Sequence, residues 1–152
     1  MGQLTSTIII ALKSLMFDAS GSQMCGVDST QEIPGGKVDD TDETILQAAA
    51  RELKEEAGLE TTGVLRKVTQ FTFTDEKPGG PTKTWMKIIF EMEVQNMDNV
   101  VLDPVEHQRF LWASEEDIGN DAVGEVKLRY ISPANKAVKL EAFRVRREGL
   151  LP

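Results

Sequence analysis

The chain has 152 residues, 40% of them hydrophobic, a single cysteine, and 25 acidic against 17 basic side chains for a formal charge of −8. That length supplies a core for one domain, residues 1–152, without covalent staples. A lone Cys25 excludes an intrachain disulfide and sets a reducing compartment as the default, while the acidic balance argues against holding nucleic acid or an anionic membrane through net charge.

Leu4 to Leu15 carries Ile8-Ile9-Ile10 among threonines, a β-branched run that predicts a buried strand. Its apolar heart, Thr7 to Leu12, is far too short to cross a bilayer, so the expected location is the cytoplasm. From Met16 to Ile33 turn residues dominate around a short strand near Gln23 to Val27. Pro34-Gly35-Gly36 then opens a loop. Asp40 and Glu43 stand three apart, the spacing of a reciprocal helix cap, and predict a helix from about Thr41 to Ala57 that Gly58 stops. At about 100° per residue Leu46, Ala50, Leu53 and Ala57 form its apolar stripe, and Glu52, Glu55 and Glu56 crowd another arc.

Beyond the helix, Val64 to Thr74 and Thr82 to Val94 flank the turn cluster Asp75 to Pro81 and predict a long hairpin. Thr84, Met86, Ile88, Phe90, Met92 and Val94 share one parity, as in a strand with one buried face, although Ile89 breaks the alternation. His107 to Ala113 predicts a further strand. Ser114 and Asp117 start a short turn of helix through Ile118, and Gly119 to Val126 is read as a loop. Pro133 opens a final helix to about Arg147, with Ala137, Leu140 and Arg144 near one stripe. Its Lys136, Lys139, Arg144, Arg146 and Arg147 favour a solvated basic face over a phosphate-binding patch.

Three carboxylates on one arc repel unless exposed to water or neutralised by a cation, and clustered carboxylate oxygens suit hard Mg²⁺ or Mn²⁺. Charge alone favours the exposed face. The letters around it weigh the other way. Arg51-Glu52-Leu53-Lys54-Glu55-Glu56-Ala57-Gly58-Leu59 resembles the Nudix box, matching Arg, Glu, aliphatic, any, Glu, Glu, any, Gly, aliphatic at all seven specified positions. Glu43 falls at the family's seven-residue interval before Arg51. One departure is visible: six residues, Lys37 to Asp42, separate Gly36 from Glu43, where the family usually has five.

The resemblance, running from Gly36 to Leu59, implies an α+β Nudix fold, a mixed β-sheet sandwiched between α-helices. It implies hydrolysis of a diphosphate linkage in a nucleoside diphosphate derivative or related small diphosphate, aided by Mg²⁺ or Mn²⁺. The alternative is a Nudix-fold ligand-binding or regulatory module with little turnover. Carried over by position, Glu52, Glu55, Glu56 and the Gly36 carbonyl are the expected metal ligands. Glu52 doubles as candidate base, and Arg51, paired with Glu43, orients the glutamates. Glu106, ahead of the late strand, is a further acidic candidate. Trp85 and Phe73 are candidate substrate contacts, although strand aromatics are more often core. The expected partner is a small-molecule diphosphate, with neither nucleic acid nor membrane; the oligomeric state, monomer or homodimer, is left open.

Overall fold

The structure, a computed structural model, describes residues 4–11, 15–19, 31–105, 107–130 and 132–149. The strand anticipated near Gln23 to Val27 and the candidate Glu106 lie outside these residues. β1 (Leu4–Ala11) lies within the predicted first strand, whereas β2 (Leu15–Ala19), which joins another sheet, shares only Leu15 with it and otherwise falls in the stretch read as turns. Next come β3 (Gln31–Glu32), β4 (Gly35–Lys37), α1 (Ile45–Ala57) and the hairpin of β5 (Thr61–Asp75) and β6 (Lys83–Val94). β7 (His107–Trp112), α2 (Glu115–Gly119), β8 (Ala122–Val123), β9 (Val126–Lys127) and α3 (Pro133–Gly149) complete the described elements. The stretch read as a loop after Gly119 thus contains a small hairpin, turned at Gly124 with φ of 58°.

The principal sheet runs β4-β1-β6-β5, with β1 parallel to β6 and its other pairs antiparallel. Both faces of β6 are covered, which is why its alternation is imperfect. Ile88, Phe90 and Met92 pack under Ala48, Ala49, Leu53 and Ala57 of α1. Ile89, on the opposite face, packs with Val68, Ile33, and Val138 and Ala142 of α3. A mixed sheet between helices is therefore observed, and β6, read as half-buried, is its doubly covered spine. A third cluster of Ala113, Ile118 and Leu128 seats α2 and the small hairpin.

Helix α1 begins three to four residues later than predicted. Thr44, not Asp40, caps it, its hydroxyl accepting from the Gln47 N–H at 3.1 Å. Asp39 and Asp42 instead close a turn on each other: the Asp42 N–H donates to the Asp39 carbonyl at 3.0 Å and the Asp39 N–H to the Asp42 carboxylate at 2.8 Å. The inserted loop residue is absorbed by this turn. Gly58 ends the helix as expected, at φ 66°, donating to the Lys54 carbonyl. The buried stripe is rotated from the predicted one: Ala48, Ala49, Leu53, Glu56 and Ala57 face inward, and Leu46 is 45% exposed.

In α3 the inward residues are Val138, Lys139 and Ala142, with Ala137 exposed, so its stripe is also shifted by about one position. Nor is the helix a single solvated basic face. Arg144 and Arg147 are exposed and pair with Glu141, Glu148 and Glu115, whereas Arg146 turns onto the sheet and reaches Glu91 at 2.6 Å. Glu91 is only 2% exposed and also faces Arg66 at 2.9 Å, an ionic contact without good hydrogen-bond alignment. Removing one member of a buried charge group leaves the others uncompensated. Glu91→Ala is accordingly expected to cost about 3 kcal/mol and to lower the melting temperature by roughly 6–12 °C. A calorimetric melt checks this, and an unchanged midpoint would show that Arg66 and Arg146 find water instead.

Candidate active site

The short strand β4 is held antiparallel to β1, with Ile9 opposite Gly35 and Ile8 opposite Gly36, and this fixes the glycine loop beside α1. Two glutamates one helical turn apart meet two successive glycines. Glu56, 7% exposed, accepts from the Gly35 N–H at 3.1 Å. The Glu52 carboxylate lies so close to Gly36 that a methyl group there would sit 2.2 Å from its carboxyl carbon and 2.3 Å from either oxygen. Glycine at 36 is thus a requirement of space: the peptide and the carboxylate share one contact that no side chain allows.

Arg51 ties the rest together. Its Nε and Nη2 donate to the two oxygens of Asp42 at 3.0 and 2.8 Å, a bidentate pair. Nη2 also donates to the Lys37 carbonyl at 2.9 Å, and Nη1 to Glu52 at 3.0 Å and Glu55 at 3.1 Å. These bonds, that to Asp42 foremost, hold the guanidinium more firmly protonated than usual, and Arg51 in turn keeps the Asp42 carboxyl below its ordinary range. Burial pushes Glu52 above the usual carboxylate range; its bond to Arg51 opposes the shift, and the charges of Glu56 and Glu55 add to it.

The expected partner of Arg51 was Glu43, and the structure corrects this. Glu43 is exposed, with its N–H donating to the Gln47 side chain, and Asp42 takes the arginine. The cause is the loop. Counted forward from Gly36, five residues lead to Asp42; counted back from Arg51, seven lead to Glu43. With one residue inserted the two counts disagree, and the Asp39–Asp42 turn brings the residue counted from the glycine to the arginine. Asp42 was missed, and the forward count is the signal that finds it.

The oxygen donors here, three glutamates and a peptide carbonyl, have the chemistry of a hard divalent cation site. The Glu52 and Glu55 side chains stand turned towards Arg51, and among the described residues no group of three or more His, Cys, Asp or Glu is arranged to hold an ion. Mg²⁺ does not ask for such a cage, since it commonly takes one or two carboxylates and fills its octahedron with waters and substrate phosphates. The close approach of Glu52 to the Gly36 peptide fits that smaller demand.

On the opposite face of the sheet is a cavity of about 450 Å³, lined by Ile33, Phe71, Phe73, Lys87, Ile89, Val138 and the start of α3 at Ser132, Ala134 and Asn135. Phe73 lines it and Trp85 does not. The two rings sit opposite one another across β5 and β6 and stack 6.4 Å apart at 12°. Trp85 carries the Lys37 ammonium 5.0 Å over its ring, and Phe73 carries that of Lys87 at 5.2 Å. Trp112, on β7, packs against the α1 core. Ile33 in the cavity and Gly36 against Glu52 are three residues apart, a span of at most ~10 Å.

A family model described as the NUDIX domain matches residues 15–134. Comparison with curated proteins returns no match. Among solved structures, the Escherichia coli ORF135 protein is 22% identical with a TM-score of 0.66, covering 98% of this chain and 94% of that one. The MutT protein from Methanosarcina mazei is 23% identical at 0.63, covering 99% and 98%. The Caenorhabditis elegans Ap4A hydrolase is 22% identical at 0.59, covering 97% and 98%. At these identities the structures speak for the shared fold. The family model spans 120 residues of the chain, and with the box and this fold it places the protein in the Nudix family of hydrolases.

Proposed function

We propose that this chain hydrolyses the diphosphate linkage of a nucleoside diphosphate derivative or related small diphosphate, using Mg²⁺ or Mn²⁺ held by Glu52, Glu55, Glu56 and the Gly36 carbonyl. The observation that carries the reading is the double contact of α1 with the glycine loop, Glu56 on the Gly35 N–H and Glu52 against Gly36. Relatives named as acting on nucleoside polyphosphates, such as the Ap4A hydrolase, support the substrate class.

When bound, the cation neutralises phosphoryl oxygens and lowers the cost of charge on the leaving group. The chain's own residues do the rest. Arg51, fixed by Asp42, keeps Glu52 and Glu55 in place through one oxygen of each. Glu52, its proton affinity raised by burial, is suited to accept a proton from the attacking water. The apolar cavity takes the non-phosphate moiety, with Phe71 and Phe73 as its aromatic walls.

A second reading, a ligand-binding module with little turnover, draws on the turning of Glu52 and Glu55 towards Arg51. The test measures phosphate and pyrophosphate release from nucleotides, nucleotide sugars and prenyl diphosphates with Mg²⁺, Mn²⁺ or chelator. Metal-dependent release from one class, abolished by chelator, is expected. Silence across the panel with ligand-induced thermal stabilisation would favour the binding module.

A further inference from the structure

Alternate residues of β6 face α3. Arg146 reaches Glu91, and Val138 and Ala142 cover Ile89. Lys87 is the next residue on that face, opposite Phe71 of β5, and it lines the cavity together with Ser132, Ala134 and Asn135 around the start of the helix. The ring of Phe73 locates its ammonium, 5.2 Å from a centroid that belongs to the same cavity wall. Lys87 is half-buried, and Phe73 is 39% exposed.

Among the described residues that line the cavity, Lys87 alone carries a charge; its neighbours there are aliphatic, aromatic, hydroxyl or amide. The carboxylate on the same strand face, Glu91, stands four residues along β6, ~13 Å at the usual rise, and is met by Arg66 and Arg146. An ammonium held over an aromatic face is held less strongly than one on a charged oxygen. An anion entering the cavity therefore draws the Lys87 ammonium off Phe73, and the apolar walls strengthen that pair. A neutral moiety leaves it on the ring.

We infer that Lys87 is a specificity-determining residue that gives the cavity a preference for diphosphates whose non-phosphate moiety carries an anionic group of its own, a carboxylate or a phosphate monoester. The inference rests on the proposed reading that the cavity holds that moiety. A charge-assisted bond, less the cation–π contact it replaces, is worth about 5- to 30-fold in affinity.

The experiment is calorimetric titration of the full chain with two ligand pairs that each differ by one anionic group, UDP-glucuronate against UDP-glucose and NADP⁺ against NAD⁺. Ca²⁺ replaces Mg²⁺, a larger oxygen-seeking cation chosen to hold the diphosphate while slowing its turnover. Wild type is expected to bind the anionic member of at least one pair about 5- to 30-fold more tightly, and the responding pair separates carboxylate from phosphate. Lys87→Met is expected to bring the ratio near one by weakening the anionic member alone, Lys87→Arg to keep it, and Lys87→Glu to invert it, which decides the matter should the Met variant fail to fold. Lys67→Met, at an exposed lysine elsewhere on β5, makes the same change in net charge and is expected to leave the ratio unaltered. Equal wild-type affinities within both pairs, or a preference that survives both Lys87→Met and Lys87→Glu, would overturn the inference while leaving the proposed hydrolysis standing. Equal weakening of both members by Lys87→Met would overturn it too, assigning the ammonium to the diphosphate they share. Binding of none of the four ligands would also overturn it, and metal-dependent release from another class of diphosphate would then show that the hydrolysis reading survives.

Discussion

Glu56→Gln is expected to lower metal-dependent turnover about 1,000-fold with the fold intact. The amide keeps an oxygen to accept the Gly35 N–H that now meets the carboxylate at 3.1 Å, so the glycine loop has no reason to leave α1. What disappears is charge. A metal ligand contributes several kcal/mol to stabilising developing negative charge in the transition state, and ~4 kcal/mol corresponds to about three powers of ten. The position is buried, so water cannot substitute for the lost carboxylate as it could at exposed Glu55. Steady-state rates at saturating Mg²⁺, beside a thermal melt of each protein, check the expectation. Turnover at the wild-type level in the Gln variant would remove Glu56 from the metal site.

Gly36→Ala is expected to be nearly as damaging by a different route. The added methyl group would coincide with the Glu52 carboxylate, 2.2 Å from its carbon, and the yielding partner is the end of a flexible side chain rather than backbone. The fold is therefore expected to survive with a small change in melting temperature, while Glu52 is pushed off its place and away from Arg51 Nη1. Misplacing a reacting group by about 1 Å costs on the order of 100-fold in rate. Gly79→Ala is the matched control. Gly79 has φ 75°, so alanine there is strained, but nothing lies within 4 Å of the added carbon and turnover is expected to be unaffected. Equal kinetics for Gly36→Ala and wild type would show that the contact between Glu52 and the loop is dispensable.

The residues that could be read in advance are those whose role follows from local letters. Gly58 had to follow the helix because only a residue free to adopt positive φ closes it there, and the run from Arg51 to Leu59 carries its own register. Ser114 and Asp117 cap α2 reciprocally as their spacing required. What could not be read is whatever depends on a partner far along the chain. The parity of β6 marked one face, but only α3, some fifty residues later, explains why Ile89 and Glu91 are as buried as Ile88. The stripe of α1 was misplaced because Leu46 is more apolar than Ala49, yet Ala48 and Ala49 are the residues fully buried against the sheet and Leu46 is 45% exposed. Asp42 was hidden by a one-residue insertion whose effect depends on how the loop turns.

The position of β1 has a consequence for the newborn chain. It is the earliest described strand, yet it sits between β4 and β6, and its parallel ladder joins Leu4 to Thr84 and Ala11 to Glu91. At ordinary synthesis speeds of about 5–20 residues per second, the segment Ile8-Ile9-Ile10 waits roughly 4–16 s before its β6 partner exists. Throughout that interval it is a β-branched stretch with an unsatisfied backbone edge, the kind of segment that chaperones shield and aggregates recruit. Slowing translation between β5 and β6 is therefore expected to reduce soluble yield without altering the finished protein.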